Sequence, residues 1–271
     1  MKRNILFTLA LVTITAQGFG ARREQAPEQV EYLPPKTSTP SKATKPDESK
    51  LLPSNPFTSE PLGAEPSSFV PAVGFWMIGT DGDNKVLVVD GRKWEEGQSS
   101  AGIAEKARAI YGERYAEFLD NVKAYAYFPF AVAKYFDDFK EGEISVRFKP
   151  IAGKIDQAAG ILFNVKPNGD YLTVRANALE ENLVLFKYVK GKRSSVKWIK
   201  DVPTPTKQWQ DLRVVVEGKS VKGYLNGKLY LEHQLSETVS GKVGVWTKAD
   251  SVTYFDDFTV KASNSKQVGI N

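Results

Sequence analysis

The sequence predicts an all-β fold, two packed antiparallel sheets carrying one helical insertion. Three observations lead there. From Ala124 to Val260 short stretches of alternating apolar and polar residues follow one another almost without pause. Turn residues separate them at short intervals. Apolar residues at helical spacing occur convincingly in one place only. Many strands and little helix are the pattern of a sandwich.

The N-terminus comes first and reads as an address. Lys2 and Arg3 precede an apolar run from Ile5 to Ala16, followed by Gly18, Gly20 and Ala21. A charged start, a short apolar stretch and a small-residue zone make residues 1–20 a signal peptide, cleaved near Gly20 or Ala21. The run is shorter than the ~18 residues a bilayer span needs, so no membrane span is expected in the mature protein. The expected location is periplasmic or extracellular. The absence of cysteine suits export, since a chain without thiols is indifferent to an oxidising compartment.

Residues 21–68 read as a disordered linker. Nine prolines, from Pro27 to Pro66, stand among Ser, Thr, Lys and Glu with few large apolar residues. Such a stretch cannot bury enough surface to offset its ordering entropy. The character changes at Phe69, and residues 69–263 read as the domain, with 264–271 a disordered tail. Val73 to Ile78 reads as a strand and Val86 to Val89 as another, joined through Asp81-Gly82-Asp83-Asn84. That acidic cluster lacks the downstream glutamate of an EF-hand loop, so it is a hairpin turn. The helix follows from Gly102 to Leu119, capped by Ser99 or Ser100, with Ile103, Ala107, Ile110 and Tyr111 on its apolar face.

Ten strands are then expected: Glu143 to Phe148, Ala158 to Phe163, Tyr171 to Ala176, Leu183 to Tyr188, Ser195 to Ile199, Leu212 to Glu217, Val221 to Leu225, Leu229 to His233, Val243 to Thr247 and Val252 to Val260. Asn226-Gly227 is the strongest hairpin signal among their turns. Tyr135 to Phe139 recurs letter for letter as Tyr254 to Phe258, although the flanking sequences do not match. On strands, only one aspartate of each pair can point inward. Two readings follow. Asp138 and Asp257 converge on a hard cation such as calcium, or the aromatics fill the core and the aspartates mark the sheet margin.

Composition removes much chemistry. Without cysteine there are no disulfides, thiolate metal sites or cysteine nucleophiles, and a single histidine, His233, excludes two-histidine sites. The formal net charge is +5 with lysines and arginines scattered, which does not suggest a nucleic-acid partner. The polar candidates lie elsewhere. Tyr171, Thr173, Arg175 and Asn177 share one strand face, an aromatic ring with a guanidinium and an amide, the residue types that hold a sugar. A solvated outer face is the plainer account. Trp246 and Lys248 share parity on their strand, with Asp250 in the turn beyond; Trp246 is either a stacking platform or core.

Three segments carry a family resemblance: 148–160 (FKPIAGKIDQAAG), 171–182 (YLTVRANALEEN) and 241–257 (GKVGVWTKADSVTYFDD). They resemble a bacterial family of exported concanavalin A-like or laminin G-like domains, associated with family-16 glycoside hydrolases and 3-keto-disaccharide hydrolases. The resemblance implies a jelly-roll sandwich and carbohydrate as partner, bound or hydrolysed. It makes Asp156, Arg175, Asn177, Glu180, Glu181, Lys248 and Asp250 a candidate site; if the protein is an enzyme, carboxylates such as Glu180 or Glu181 would serve as acid or base. The Glu-x-Asp-x-x-Glu signature of sandwich glucanases is missing. Three functions therefore stand: a noncatalytic carbohydrate-binding module, a glycoside hydrolase acting on (3-keto-)disaccharides, and an envelope protein-interaction domain. No cofactor is expected beyond that calcium ion.

Overall fold

A computed structural model describes residues 57–93, 103–112 and 127–263. The signal peptide, most of the linker and the tail lie outside the described residues. In chain order the strands are β1 (Phe69–Val73), β2 (Trp76–Asp81), β3 (Asn84–Asp90), β4 (Phe130–Ala133), β5 (Gly142–Ala152), β6 (Ala158–Val165) and β7 (Tyr171–Asn177). They continue as β8 (Asn182–Val189), β9 (Lys192–Ile199), β10 (Gln210–Glu217), β11 (Ser220–Leu225), β12 (Lys228–Gln234), β13 (Lys242–Trp246) and β14 (Val252–Ala262). One helix, α1 (Ile103–Tyr111), lies between β3 and β4.

The strands form two seven-stranded antiparallel sheets. The first runs β1-β4-β13-β6-β7-β8-β9 and the second β12-β11-β10-β5-β14-β3-β2. Their inner faces share one core, with Phe69, Trp76, Phe148, Phe163, Phe255 and Phe258 among its aromatics. β5 and β10 alternate strictly between buried and accessible positions, the mark of a sheet with one wet face.

All ten strands expected from Glu143 onward are present, most of them a residue or two longer. Asp81 pairs with Asn84 across a tight turn, so the acidic cluster is a hairpin. Asn226 and Gly227 both adopt positive φ, 50° and 79°, as a type I′ hairpin requires. The strand expected over Val73 to Ile78 is broken. Gly74 takes φ 89°, and a side chain there would meet Pro129 Cβ at 2.5 Å. The chain bends at that glycine, leaving the first sheet at Val73 and entering the second at Trp76.

The domain also begins ahead of Phe69. Phe57 is fully buried in the core, and the Glu60 carboxylate accepts hydrogen bonds from Ser67 and Ser68. Sequence placed these residues in the linker because one phenylalanine among prolines carries no periodicity. The matched pentapeptides differ in backbone. Residues 135–139 form a loop, whereas 254–258 lie in β14 where a bulge interrupts the pairing. What they share is burial of both phenylalanines.

A second apolar cluster sits on the outer face of the first sheet. Ala107, Ile110 and Tyr111 of α1 pack there with Val70, Val73, Phe130 and Trp246. The helix was expected to run to Leu119; the described part ends at Tyr111, before Gly112 at φ 57°. No helix among the described residues is long and apolar enough to cross a membrane.

Candidate functional site

Along β7, Leu172, Val174 and Ala176 face the core between the sheets, so Tyr171, Thr173, Arg175 and Asn177 share the other face as their parity requires. That face is not solvated. Every β7 residue is buried, and Tyr171 at one end of this face belongs to the second cluster. Cross-strand register aligns Trp246, Gly160, Arg175, Val184 and Trp198 in one row across β13, β6, β7, β8 and β9. Gly160 leaves the row narrow, since a Cβ there would lie 2.8 Å from Thr173 Oγ1 and 3.1 Å from Arg175 Cβ. The two tryptophans at the row's ends differ: Trp246 is fully buried, and Trp198 is 45% exposed.

Around Arg175 stands a network of charges. Its guanidinium, 1% exposed, donates to Asn182 Oδ1 at 2.9 Å and to Glu180 Oε2 at 2.8 Å. Asn182 Nδ2 donates to the same Glu180 oxygen at 2.8 Å. One strand over, Asp156 accepts from Asn177 Nδ2 at 2.6 Å and from Lys248 Nζ at 2.5 Å. Asn177 pairs with Ala158 and with Asn182 across the sheet, which sets the two halves side by side. Asp250 holds the supporting loop. Its carboxylate accepts the backbone N–H groups of Lys154, Ile155 and Asp156 at 2.6–3.2 Å. It therefore positions Asp156 rather than facing a ligand itself.

The carboxyl groups are tuned in opposite directions. Burial pushes Asp156 up from its ordinary value, outweighing the nearby Lys248 ammonium. Burial also pushes Glu180 up, but hydrogen bonds from Arg175 and Asn182 outweigh it and leave the group below its ordinary value. For Asp250 the three backbone donors overcome the penalty of burial, and its carboxyl is lowered. A lowered carboxyl contributes stability that is present above its unfolded value and lost as pH falls through its folded value. Glu180→Gln should therefore destabilise the protein at neutral pH, and the difference from wild type should vanish on the acid side of 4.5, the ordinary value. Urea titrations at several pH values measure this; a difference that persists into acid contradicts it.

Of the sequence candidates, the structure gathers Asp156, Arg175, Asn177, Glu180, Lys248 and Asp250. Glu181 does not join them; it is exposed, at φ 46°, and contributes its backbone carbonyl to Val202 N–H. Tyr171 and Trp246 lie buried in the second cluster, Trp246 Nε1 donating to Tyr171 Oη at 3.1 Å. Neither presents a ring to solvent: Trp246 packs on Phe128 and Tyr188, and Tyr171 on Phe130 and Tyr188. Asp138 and Asp257 are not brought together. Ser240 and Lys140 engage Asp138, and Arg147 engages Asp257. Among the described residues no three His, Cys, Asp or Glu side chains gather where a metal could bind. Sequence reasoning missed Asn182 and Trp198. The signal for Trp198 was a lone tryptophan in a strand otherwise rich in Lys, Arg and Ser.

A cleft of about 260 Å³ lies away from this network, between α1 and β4, lined by Val70, Ile110, Val132 and Lys242 among others. It falls below the usual ligand-pocket range of roughly 300–1,000 Å³ and holds none of the site residues. The hydrogen-bonded charges lie instead at the β7–β9 corner.

No protein-family model matches the chain, nor does any curated protein sequence. Solved structures do. The carbohydrate-binding module CBM66 from Bacillus subtilis is 15% identical, with TM-score 0.51 over 72% of this chain and 96% of that one. A Bacillus subtilis protein of unknown function with a galectin-like fold matches at 17% identity and TM-score 0.41, over 50% of this chain and 77% of that one. A Bacillus licheniformis beta-glucanase matches at 12% identity and TM-score 0.39, over 51% and 71%. What this chain shares with the first of these is its architecture, and the fold is a concanavalin A-like β-sandwich.

Proposed function

We propose that this domain binds carbohydrate, without cleaving it, at the β7–β9 corner of the first sheet. The observation that carries the reading is the exposed Trp198 indole standing beside Arg175, Glu180 and Asn182. A sugar offers an apolar face to an aromatic ring and hydroxyls to charged acceptors and amides, and this corner supplies both. The carbohydrate-binding module CBM66 has the same fold, which supports the reading without locating the site. The exported location read from residues 1–20 and the linker read from residue 21 onward belong to the same proposal.

Cleavage is the second reading. It draws on the opposed shifts of Asp156 and Glu180, since an acid and a base need environments that push them apart. Binding is favoured because Asp156 is sealed by Asn177 and Lys248, and Glu181 stands outside the network. Isothermal titration against an oligosaccharide panel tests the proposal. Trp198→Ala should weaken binding about tenfold, worth about 1.4 kcal/mol, with thermal stability unchanged because the ring is half exposed. Unchanged affinity in that variant would overturn the site. Sugar release that Glu180→Gln abolishes would establish hydrolysis instead.

A further inference from the structure

The hairpin β8–β9 has an uncommon charge pattern. Lys187, Lys190, Lys192, Arg193, Lys197 and Lys200 lie within residues 182–200, which contain no carboxylate. All six are exposed. Several cations elsewhere meet acids: Lys149 with Asp81, Arg213 with Glu143, Lys222 with Glu217, Lys242 with Asp137. None of the six makes an ion pair with a described residue. The carboxylates near the hairpin are committed or peripheral. Glu180 is held by Arg175, Asp170 accepts the Lys190 N–H at 2.7 Å, and the exposed Glu181 and Asp201 stand just outside the hairpin's two ends at positive φ.

One aromatic platform organises two guanidiniums among these charges. Arg193 lies over the Phe186 ring at 4.7 Å and over Phe128 at 5.1 Å. Arg175 lies over the same Phe186 ring at 5.4 Å, and Trp198 meets it edge-on at 5.9 Å. Arg175 is 1% exposed, yet its Nε has no hydrogen-bond partner. An unpaired buried N–H is costly and calls for an acceptor.

We infer that the sugar bound here is acidic, a saccharide bearing carboxylate or sulfate groups, lying along β8–β9 with its ring on Trp198 and its anion on Arg193. The inference rests on the reading that this corner binds carbohydrate, and it names the substrate class. A guanidinium held over aromatic rings offers a two-pronged donor to a planar carboxylate or a sulfate. The unpaired lysines add a field that draws a polyanion and weakens with salt. Lysines on this edge strand also discourage pairing with another sheet, so the edge is left open for a ligand that uses no backbone ladder.

Affinity electrophoresis of the purified full chain in polygalacturonate, dextran sulfate and neutral dextran is the test. Retardation by either acidic polymer and not by dextran is expected, and comparing the two separates carboxylate from sulfate recognition. The Arg193→Gln/Lys197→Gln double variant should bind the acidic polymer at least about tenfold more weakly, and raising NaCl from about 0.05 to about 0.5 M should weaken wild type in the same direction. Both positions are exposed, so the fold is kept. Equal binding of dextran and polygalacturonate, insensitive to the double variant, overturns the inference and leaves the carbohydrate reading standing. Retention of no saccharide overturns the carbohydrate reading as well. Single-stranded DNA or phosphatidylserine vesicles bound as tightly as polygalacturonate, and lost in the same variant, also overturn it by showing a surface for polyanions in general.

Discussion

Trp246→Ala should cost the domain about 4 kcal/mol, lowering Tm by about 8–16 °C for a domain of this size. The side chain is fully buried on β13, between β4 and β6. Its ring stacks on Phe128 at 5.8 Å and leans on Tyr188 at 6.3 Å. Removing it forfeits those contacts and leaves a cavity that a sheet cannot close without shifting register. It also strips Tyr171 Oη of its indole donor. Trp246→Phe keeps most of the apolar volume and should recover more than half of the loss. Urea unfolding with an unchanged slope is the measurement. A loss under 1 kcal/mol would show that the outer cluster is loosely packed. The same truncation at Trp198 should shift stability by no more than about 0.5 kcal/mol, which makes the two tryptophans of one row a paired control.

Asp156→Ala should cost about 3 kcal/mol, the lower end of what breaking a buried ion pair costs. The carboxylate has no exposure and two partners that depend on it. Truncation leaves the Asn177 amide without its acceptor in a dry site, a penalty of about 1–3 kcal/mol by itself. Lys248 is 14% exposed and can turn its ammonium toward water, which keeps the total from rising further. Combining Asp156→Ala with Lys248→Met should cost less than the sum of the two, since one residue's loss already removes the shared bond. Strict additivity in that cycle would mean that the pair is not coupled.

How far the sequence spoke for the structure depends on the distance over which each signal acts. Period-two alternation and Asn226-Gly227 are local, and strands and hairpins followed from them. The parity of Tyr171, Thr173, Arg175 and Asn177 was legible for the same reason. Their burial was not, because it comes from residues distant in sequence that meet them only in the folded chain, such as Trp246 against Tyr171 and Asp156 against Asn177. Asp250 supports Asp156 from 94 residues away, and no spacing announces that. Glu180 and Glu181 are neighbours with the same side chain, and only the left-handed turn at Glu181 decides which one faces Arg175. Strand position likewise separates Trp198 on the edge strand β9 from Trp246 on the interior strand β13, one open and one sealed, though both read as a tryptophan on a strand. The repeated pentapeptide was misleading in conformation and sound in packing: its phenylalanines are core wherever they stand, while the backbone answers to its neighbours.

The place of β14 in the second sheet has a consequence for how the chain is made. It lies between β5 and β3, so the β2–β3 hairpin reaches the other four strands only through it. Those two strands are synthesised early, and their partner is the last strand of the domain. A nascent chain can form hairpins as it emerges, but it cannot close this sheet until residue 262 has left the ribosome. Closure then joins segments more than 150 residues apart, from Leu87 to Phe255, a slow and late step. Until it happens the β2–β3 hairpin has no partner strand in its sheet.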